Sequence, residues 1–452
     1  MNRFLLITLF LLTALNADVS ICTDKLETTN QYIECLKKEV NNSKSIEDIN
    51  FLAGYLVTKN RFDEAINFYK QATLQDDAKA MYYLGGIYEE QKKEYDLAVK
   101  WFKKAADKNY KDSVFRVGSI LEKKLLKEDE AIAYYQEWIK KGNVEAYNYL
   151  GNLYLDKEDF QKAKKEYLKG AKKASKESYY LLGSLHEAYI ENGLNDAIYY
   201  YKEGAELGEY KSIYNLAANY DKLLEYKKAE PWYKKSMALG NKDAYDAYGY
   251  MLAKKGDAKE ALEIFQRLAN LNDSRGYIGM ARVYVNEYKD YENEKKYALK
   301  AIELGDADGA VMIGYMYSNH LNDKEKAIKW YTKAYEMKDC DGTENLAFVY
   351  RDKYKDNDKY LYWMEKAFNI GCSSSGHDIG TYYLTEKKDI KTAMLWYEKA
   401  ANLGYMSSAK NLAILYKTEL DNNDKAIYWY KRADRLGYKG AKKQLKKLEA
   451  QK

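Results

Sequence analysis

The sequence predicts an all-α fold, an α-solenoid superhelix of about twelve helix-turn-helix repeats. Three observations lead there. A glycine or alanine recurs at positions 53, 85, 118, 151, 183, 217, 249, 281, 314, 347, 380 and 413, at intervals of 32 to 34 residues. A second, amphipathic motif follows each of these positions, so the period belongs to a two-helix unit. The composition agrees: there is one proline, Pro231, and 32% of the residues are charged with both signs mixed, which suits long helices and excludes a β-sandwich.

Helix A of each unit carries the small residue. Leu84-Gly85-Gly86-Ile87-Tyr88 is matched by Leu150-Gly151-Asn152-Leu153-Tyr154 and by Ile313-Gly314-Tyr315-Met316-Tyr317. The small side chain lets helix B come close. The tyrosine three residues later (Tyr88, Tyr154, Tyr220, Tyr284, Tyr317, Tyr350, Tyr383, Tyr416) is expected to fill the space between units, with its hydroxyl reaching a polar group or water. This accounts for much of the total of 49 tyrosines. Helix B reads Ala98-Val99-Lys100-Trp101-Phe102-Lys103-Lys104-Ala105-Ala106 in one copy and Ala393-Met394-Leu395-Trp396-Tyr397-Glu398-Lys399-Ala400-Ala401 in another. Apolar residues at i, i+1, i+3, i+4 and i+7 make one helical face. Insertions of one or two residues are expected in the A–B turns, where length costs little.

Some units depart from the pattern. Glu294 and Tyr360 stand where helix B otherwise begins with alanine, and they are expected to loosen packing locally. Pro231 falls near the start of its helix B, where a missing N–H does least harm. Ala441, Leu445 and Leu448, set among lysines, read as a solitary helix capping the stack. Lys442-Lys443 and Lys446-Lys447 are its solvated face. The chain thus divides into residues 1–17, 18–45 as an N-terminal helical cap, 46–438 as tandem repeats, and 439–452 as the C-terminal cap.

The first residues have the plan expected of a secretory signal. Arg3 precedes a run from Phe4 to Leu15 that is apolar except for Thr8 and Thr13, and Ala17 offers a small residue for cleavage before Asp18. Twelve residues fall short of the roughly 20 needed to span a bilayer as a helix, so the mature chain is expected to have no stable membrane insertion. Export makes disulfides available to Cys22, Cys35, Cys340 and Cys372. Cys22 and Cys35 are placed to staple the N-terminal cap, a closure worth about 3 kcal/mol in the chain-entropy account. Cys340 and Cys372 occupy nearly equivalent ends of successive repeats. Neighbouring turns bring them into a bridge, or helix spacing of about 8–10 Å leaves two thiols.

The combined pattern, Ala-x-x-x-Leu-Gly-x-x-Tyr followed by Ala-x-x-Trp-Tyr-x-Lys-Ala-Ala-x-x-Gly, resembles the Sel1-like repeat, a relative of the tetratricopeptide repeat. Ala80 to Tyr88 joined to Ala98 to Ala106 is one copy, and Ala393 to Gly404 followed by Ala409 to Tyr416 another. The resemblance covers residues 46 to 438. It implies a scaffold or adaptor for protein partners in an envelope, signalling or host-facing complex, with peptidoglycan or another glycan as a further partner class.

Chemistry-bearing motifs are sparse. His186 occupies a tyrosine slot and reads as core, His320 falls in an A–B turn, and His377 lies on helix A three residues before Gly380. No HExxH or CxxC spacing and no phosphate-binding Gly-x-x-x-x-Gly-Lys-Ser/Thr loop occurs, so neither metal nor cofactor is implied. No strongly basic block stands out from the net charge of +5, which argues against nucleic acid. Some cysteine-rich Sel1-like proteins carry the label β-lactamase, and Ser407-Ser408-Ala409-Lys410 matches Ser-x-x-Lys. The Ser-Asp-Asn and Lys-Thr-Gly elements such enzymes need are missing. A non-catalytic protein is the reading, with an envelope hydrolase as the alternative. By analogy with tetratricopeptide repeats, the exposed concave positions lie two before and two after the motif leucine. They include Tyr82, Asn148, Asn152, Tyr180, Tyr214, Tyr250, Arg282, Tyr315 and His377. The expected site of action is the periplasm or the exterior of the cell.

Overall fold

A computed structural model of the protein describes Cys22 and residues 29–450. The expected signal segment, residues 1–17, lies outside the described residues. Among these residues all regular structure is helical and there is no strand. The fold is an α-solenoid of twelve helical hairpins, preceded by the helix Thr29–Ser43 and followed by Ala441–Glu449. The chain divides into two compact units, Met1–Asn219 and Tyr220–Lys452.

In the first unit, repeat 1 pairs helix A, Ile46–Thr58, with helix B, Phe62–Thr73. Repeat 2 pairs Ala78–Ile87 with Tyr95–Asp107, repeat 3 Ser113–Lys123 with Glu128–Lys140, repeat 4 Glu145–Asp156 with Phe160–Ala171, and repeat 5 Lys176–Tyr189 with Leu194–Glu206. Helix A of repeat 6 is Tyr210–Lys222, within which the division falls. In the second unit its helix B is Tyr226–Ala238. Repeat 7 pairs Lys242–Lys255 with Ala258–Asn270, repeat 8 Ser274–Val283 with Tyr291–Glu303, and repeat 9 Asp308–Tyr315 with Lys324–Glu336. Repeat 10 pairs Cys340–Phe348 with Asn357–Asn369, repeat 11 Ser373–Thr385 with Ile390–Asn402, and repeat 12 Met406–Thr418 with Asn423–Arg435.

The seam of each hairpin is a ring set on a small residue. A Cβ built on Gly151 would stand 2.3 Å from Tyr167 Cε1, and on Gly314 2.6 Å from Tyr331 Cδ1. Gly85, Gly118, Gly183, Gly249 and Gly380 face Phe102, Tyr135, Tyr201, Phe265 and Tyr397 in the same way. These helix-B rings form the core. Tyr135, Tyr167, Tyr201, Tyr233, Tyr331 and Tyr397 rank among the largest fully buried side chains. Of the helix-A tyrosines expected to fill inter-repeat space, only Tyr88 and Tyr317 are buried. The others stay half-exposed, and a lysine at the start of helix B covers the ring face in four repeats with a half-exposed tyrosine and in one, at Tyr317, with a buried one. Lys162, Lys228, Lys326, Lys359 and Lys425 stand 5.0–5.5 Å over Tyr154, Tyr220, Tyr317, Tyr350 and Tyr416. Each pair is a cation–π contact worth about 0.5–1 kcal/mol at such sites.

Helix starts are fixed by side-chain caps. Asp159, Asp290, Asp323, Asp356, Asp389 and Asn422 each accept a hydrogen bond from the backbone N–H three residues on, at the first turn of helix B. Turns from helix B to the next helix A use a left-handed residue, glycine at 142, 208, 240, 305, 371, 404 and 437. The extra residue expected in the A–B turn sits there in repeat 5, between Tyr189 and Leu194, but four other repeats differ. In repeats 2, 8, 9 and 10 helix A ends in a π-helical turn, Tyr88–Lys92, Tyr284–Tyr288, Met316–His320 and Val349–Lys353. A wider i→i+5 turn absorbs the added residue while the helical hydrogen bonding continues.

Both cysteine pairs are bridged, Cys22–Cys35 and Cys340–Cys372. The second joins the starts of helix A in repeats 10 and 11, where the Cα atoms are 5.6 Å apart, closer than helix axes pack. Pro231 lies within Tyr226–Ala238, in its second turn. Ala441–Glu449 buries Ala441 and Leu448 and turns Lys442, Lys443, Lys446 and Lys447 outward. Among the described residues no helix is long and apolar enough to cross a membrane.

Candidate interaction face

Helix A supplies one side of each unit. In the first unit helix A of repeat 4 touches helix A of repeats 3 and 5. In the second, helices A of repeats 7 and 8, and of repeats 9 and 10, do the same. Successive B helices make no contact of that extent among the described residues. Closer spacing on the A side makes it the inner side of the local curve.

The sequence-predicted residues divide by burial. In the first unit Tyr82 is half-buried. Its hydroxyl donates to Asp112 at 2.7 Å, and Lys111 Nζ stands 5.1 Å from the centre of its ring. Asn148 is only 3% exposed, which corrects its placement on a wetted face. Its Oδ1 accepts from Ser178 Oγ at 2.5 Å, and the bare Cα of Gly170 leaves room for that joint between repeats 4 and 5. Asn152 is half-buried, with Oδ1 accepting from the Tyr167 hydroxyl at 2.6 Å, so it serves the core ring. Tyr180 and Tyr214 are half-buried, and Lys211 Nζ stands 5.0 Å over the Tyr180 ring.

In the second unit the structure brings Tyr250 and Arg282 together. Arg282 Nη1 donates to the Tyr250 hydroxyl at 3.2 Å, and the guanidinium itself is exposed. Tyr315 is 51% exposed, edge-on to His320. His377 is half-buried between Tyr397 and Tyr405, and its Nδ1 lies 2.9 Å from Ser408 Oγ. Burial, then the Lys410 charge, lowers the imidazole pKa and so favours the neutral ring. A neutral imidazole beside a hydroxyl has the form of a base and nucleophile. Ser408 is wholly buried, however, so no substrate carbonyl can reach its oxygen. His186 is 1% exposed in its tyrosine slot. Among the described residues no group of three or more His, Cys, Asp or Glu is gathered as a metal site.

Sequence reasoning missed a cleft of about 630 Å³ between repeats 10 and 11. Phe348, Arg351, Tyr360, Asp378, Thr381 and Tyr382 are among its lining residues. Two signals pointed there. Tyr360 breaks the alanine pattern at the start of helix B, and Met364 then takes the ring slot one turn later. Tyr360 is buried rather than loosening the hairpin, stacked on Phe348 and 5.8 Å from the Tyr382 ring. Asp378 is the only carboxylate found two residues before the small residue in any of the twelve repeats. Burial first, then repulsion from Glu344, raises its pKa against the pull of Arg351.

The Sel1 repeat model matches residues 176–209, 243–273, 307–339, 377–405 and 415–438. Tetratricopeptide repeat models match residues 52–113 and 144–172. Together these matches span more than half of the chain. No curated protein matches the sequence. Similar solved structures include a protective antigen of uropathogenic Escherichia coli displaying an SLR fold, at 21% identity and a TM-score of 0.41 over 86% of this chain and 91% of that one. A Sel1 repeat protein from Oxalobacter formigenes shares 18% identity at a TM-score of 0.33, over 63% of this chain and 89% of its own. Yeast Tom70 shares 17% identity at a TM-score of 0.38, over 94% of this chain and 97% of its own.

Proposed function

Because the chain belongs to the Sel1-like repeats of the tetratricopeptide-repeat superfamily, we propose that it is a non-catalytic scaffold that holds a protein partner on the inner, helix-A side of its repeats. One observation supports this above the rest. Every glycine seam is closed by a buried ring, while Arg282 and Tyr315 project from helix A unburied. Exposed arginine and tyrosine are the side chains that most often anchor protein interfaces. The seams therefore serve stability and the inner face serves recognition. Two disulfides fit an oxidising compartment, and the protein is proposed to act in the periplasm or outside the cell after cleavage behind Ala17.

Affinity capture from envelope extract tests the scaffold. The wild-type chain is expected to retain a discrete protein, and Arg282→Ala with Tyr315→Ala to lose most of it at an unchanged melting temperature. Equal capture by both chains would move the interface elsewhere. Sedimentation with purified peptidoglycan but no retained protein would move the partner to the glycan. N-terminal sequencing of the protein recovered from the periplasm or medium is expected to begin at Asp18.

A further inference from the structure

Four departures from the repeat pattern meet in repeats 10 and 11. The Cys340–Cys372 bridge ties the starts of their A helices. The π turn Val349–Lys353 carries Arg351 and Asp352 into the wall of the cleft. Tyr360 replaces alanine, and with Tyr382 it gives the cleft two buried rings. Asp378 supplies the carboxylate that no other repeat has in that slot.

The charged lining of the cleft comprises Arg351, Asp352, Lys355, Asp378 and Glu386, and these charges are unequally answered. Arg351 donates to both Asp352 oxygens, at 2.7 and 3.2 Å, and its guanidinium lies 4.8 and 5.2 Å from the Phe348 and Tyr360 rings. Its charge is already matched. Glu344, beside the cleft, accepts from Ser374 and Ser375 at 2.6 Å each. Asp378 accepts no hydrogen bond and makes no ion pair among the described residues, although it is partly withdrawn from water. Arg351 draws on Asp378 only at a distance and is itself bound to Asp352, so a half-buried carboxylate without a direct partner stays costly unless a cation arrives, and aromatic walls favour that cation further.

We propose that this cleft receives a lysine or arginine side chain of the partner polypeptide, with its charged end against Asp378 and its aliphatic stem along Tyr360 and Tyr382. The proposal rests on the scaffold reading and names the partner's chemistry. Charge along the neighbouring repeats supports it. Asp306, Asp308, Asp339 and Asp341 crowd the start of helix A in repeats 9 and 10, where burial and mutual repulsion raise Asp308 and Asp339. A basic segment is thus favoured on this stretch of a chain whose net charge is itself positive.

The test is fluorescence anisotropy of a labelled, end-blocked Gly-Lys-Gly-Lys-Gly-Lys-Gly peptide with the full chain. Asp378→Asn is expected to weaken binding at least tenfold, Asp378→Glu to stay within threefold of wild type, and Asp129→Asn, an exposed acid in the first unit, to change nothing. The glutamate counterpart of the peptide should not bind. Equal affinity of wild type and Asp378→Asn, equal binding of the glutamate peptide, or Asp378-dependent binding of chitotetraose in place of the lysine peptide would overturn the proposal. Melting curves show whether Asp378→Asn folds, and Asp378→Glu decides the matter if it does not. Partner capture run alongside separates the two readings. A partner retained equally by Asp378→Asn leaves the scaffold standing without this cleft, and no retained partner removes the scaffold whatever the peptide does.

Discussion

Gly151 shows how much one missing methyl group matters here. Tyr167 lies against it with no exposed surface and with its hydroxyl held by Asn152, so the ring cannot swing aside. Gly151→Ala is expected to cost about 1–3 kcal/mol, as overpacking of a closed core does, read as a lower urea midpoint at unchanged slope. Glu294 makes the converse case. It fills an alanine slot in repeat 8, is 3% exposed, and leaves Oε2 without a hydrogen-bond partner. Burial raises its pKa from 4.5 to about 7. The unfolded chain releases this proton at a lower pH than the folded one, so the group lowers stability as pH rises from about 4.5 to about 7, with no further change above. Glu294→Gln should therefore gain roughly 3 kcal/mol at pH 8 and little at pH 4. A variant whose stability tracks wild type across that range would show that the carboxyl finds a partner.

Helices and bridges obey a different logic, because each hairpin leans mainly on its neighbours. The Cys340–Cys372 bridge closes a loop between residues 32 apart, which constrains the unfolded chain by about 3–4 kcal/mol in the entropy account. Cys340→Ser with Cys372→Ser should speed hydrogen exchange in repeats 10 and 11 while leaving repeats 1 to 4 as they were. The elements themselves were legible in sequence, because a Gly or Ala every 32 to 34 residues sets hairpin number and pairing without reference to anything distant. The π turns were not, since one extra residue reads alike in a loop or in a widened helical turn. Nor was the packing of helix-A tyrosines, whose faces are claimed by lysines that look like ordinary surface charge in the sequence. Asn148 failed for a related reason: two serines from the next repeat draw it inward, and spacing within its own repeat cannot show them.

At the scale of the whole molecule, repetition builds a scaffold and departures from repetition mark the places where it is specialised. Tyr360 and Asp378 are each a single substitution in a slot that other repeats fill differently, and they share one cleft. Recognition is assigned to the helix-A side. Site-specific photo-crosslinking tests it most directly, with benzoylphenylalanine placed at Tyr315 on helix A or at Tyr199 on helix B, which are similarly exposed at 51% and 56%. Irradiation in envelope extract is predicted to join a partner protein through position 315 and not through 199. Crosslinks from 199 alone would contradict it.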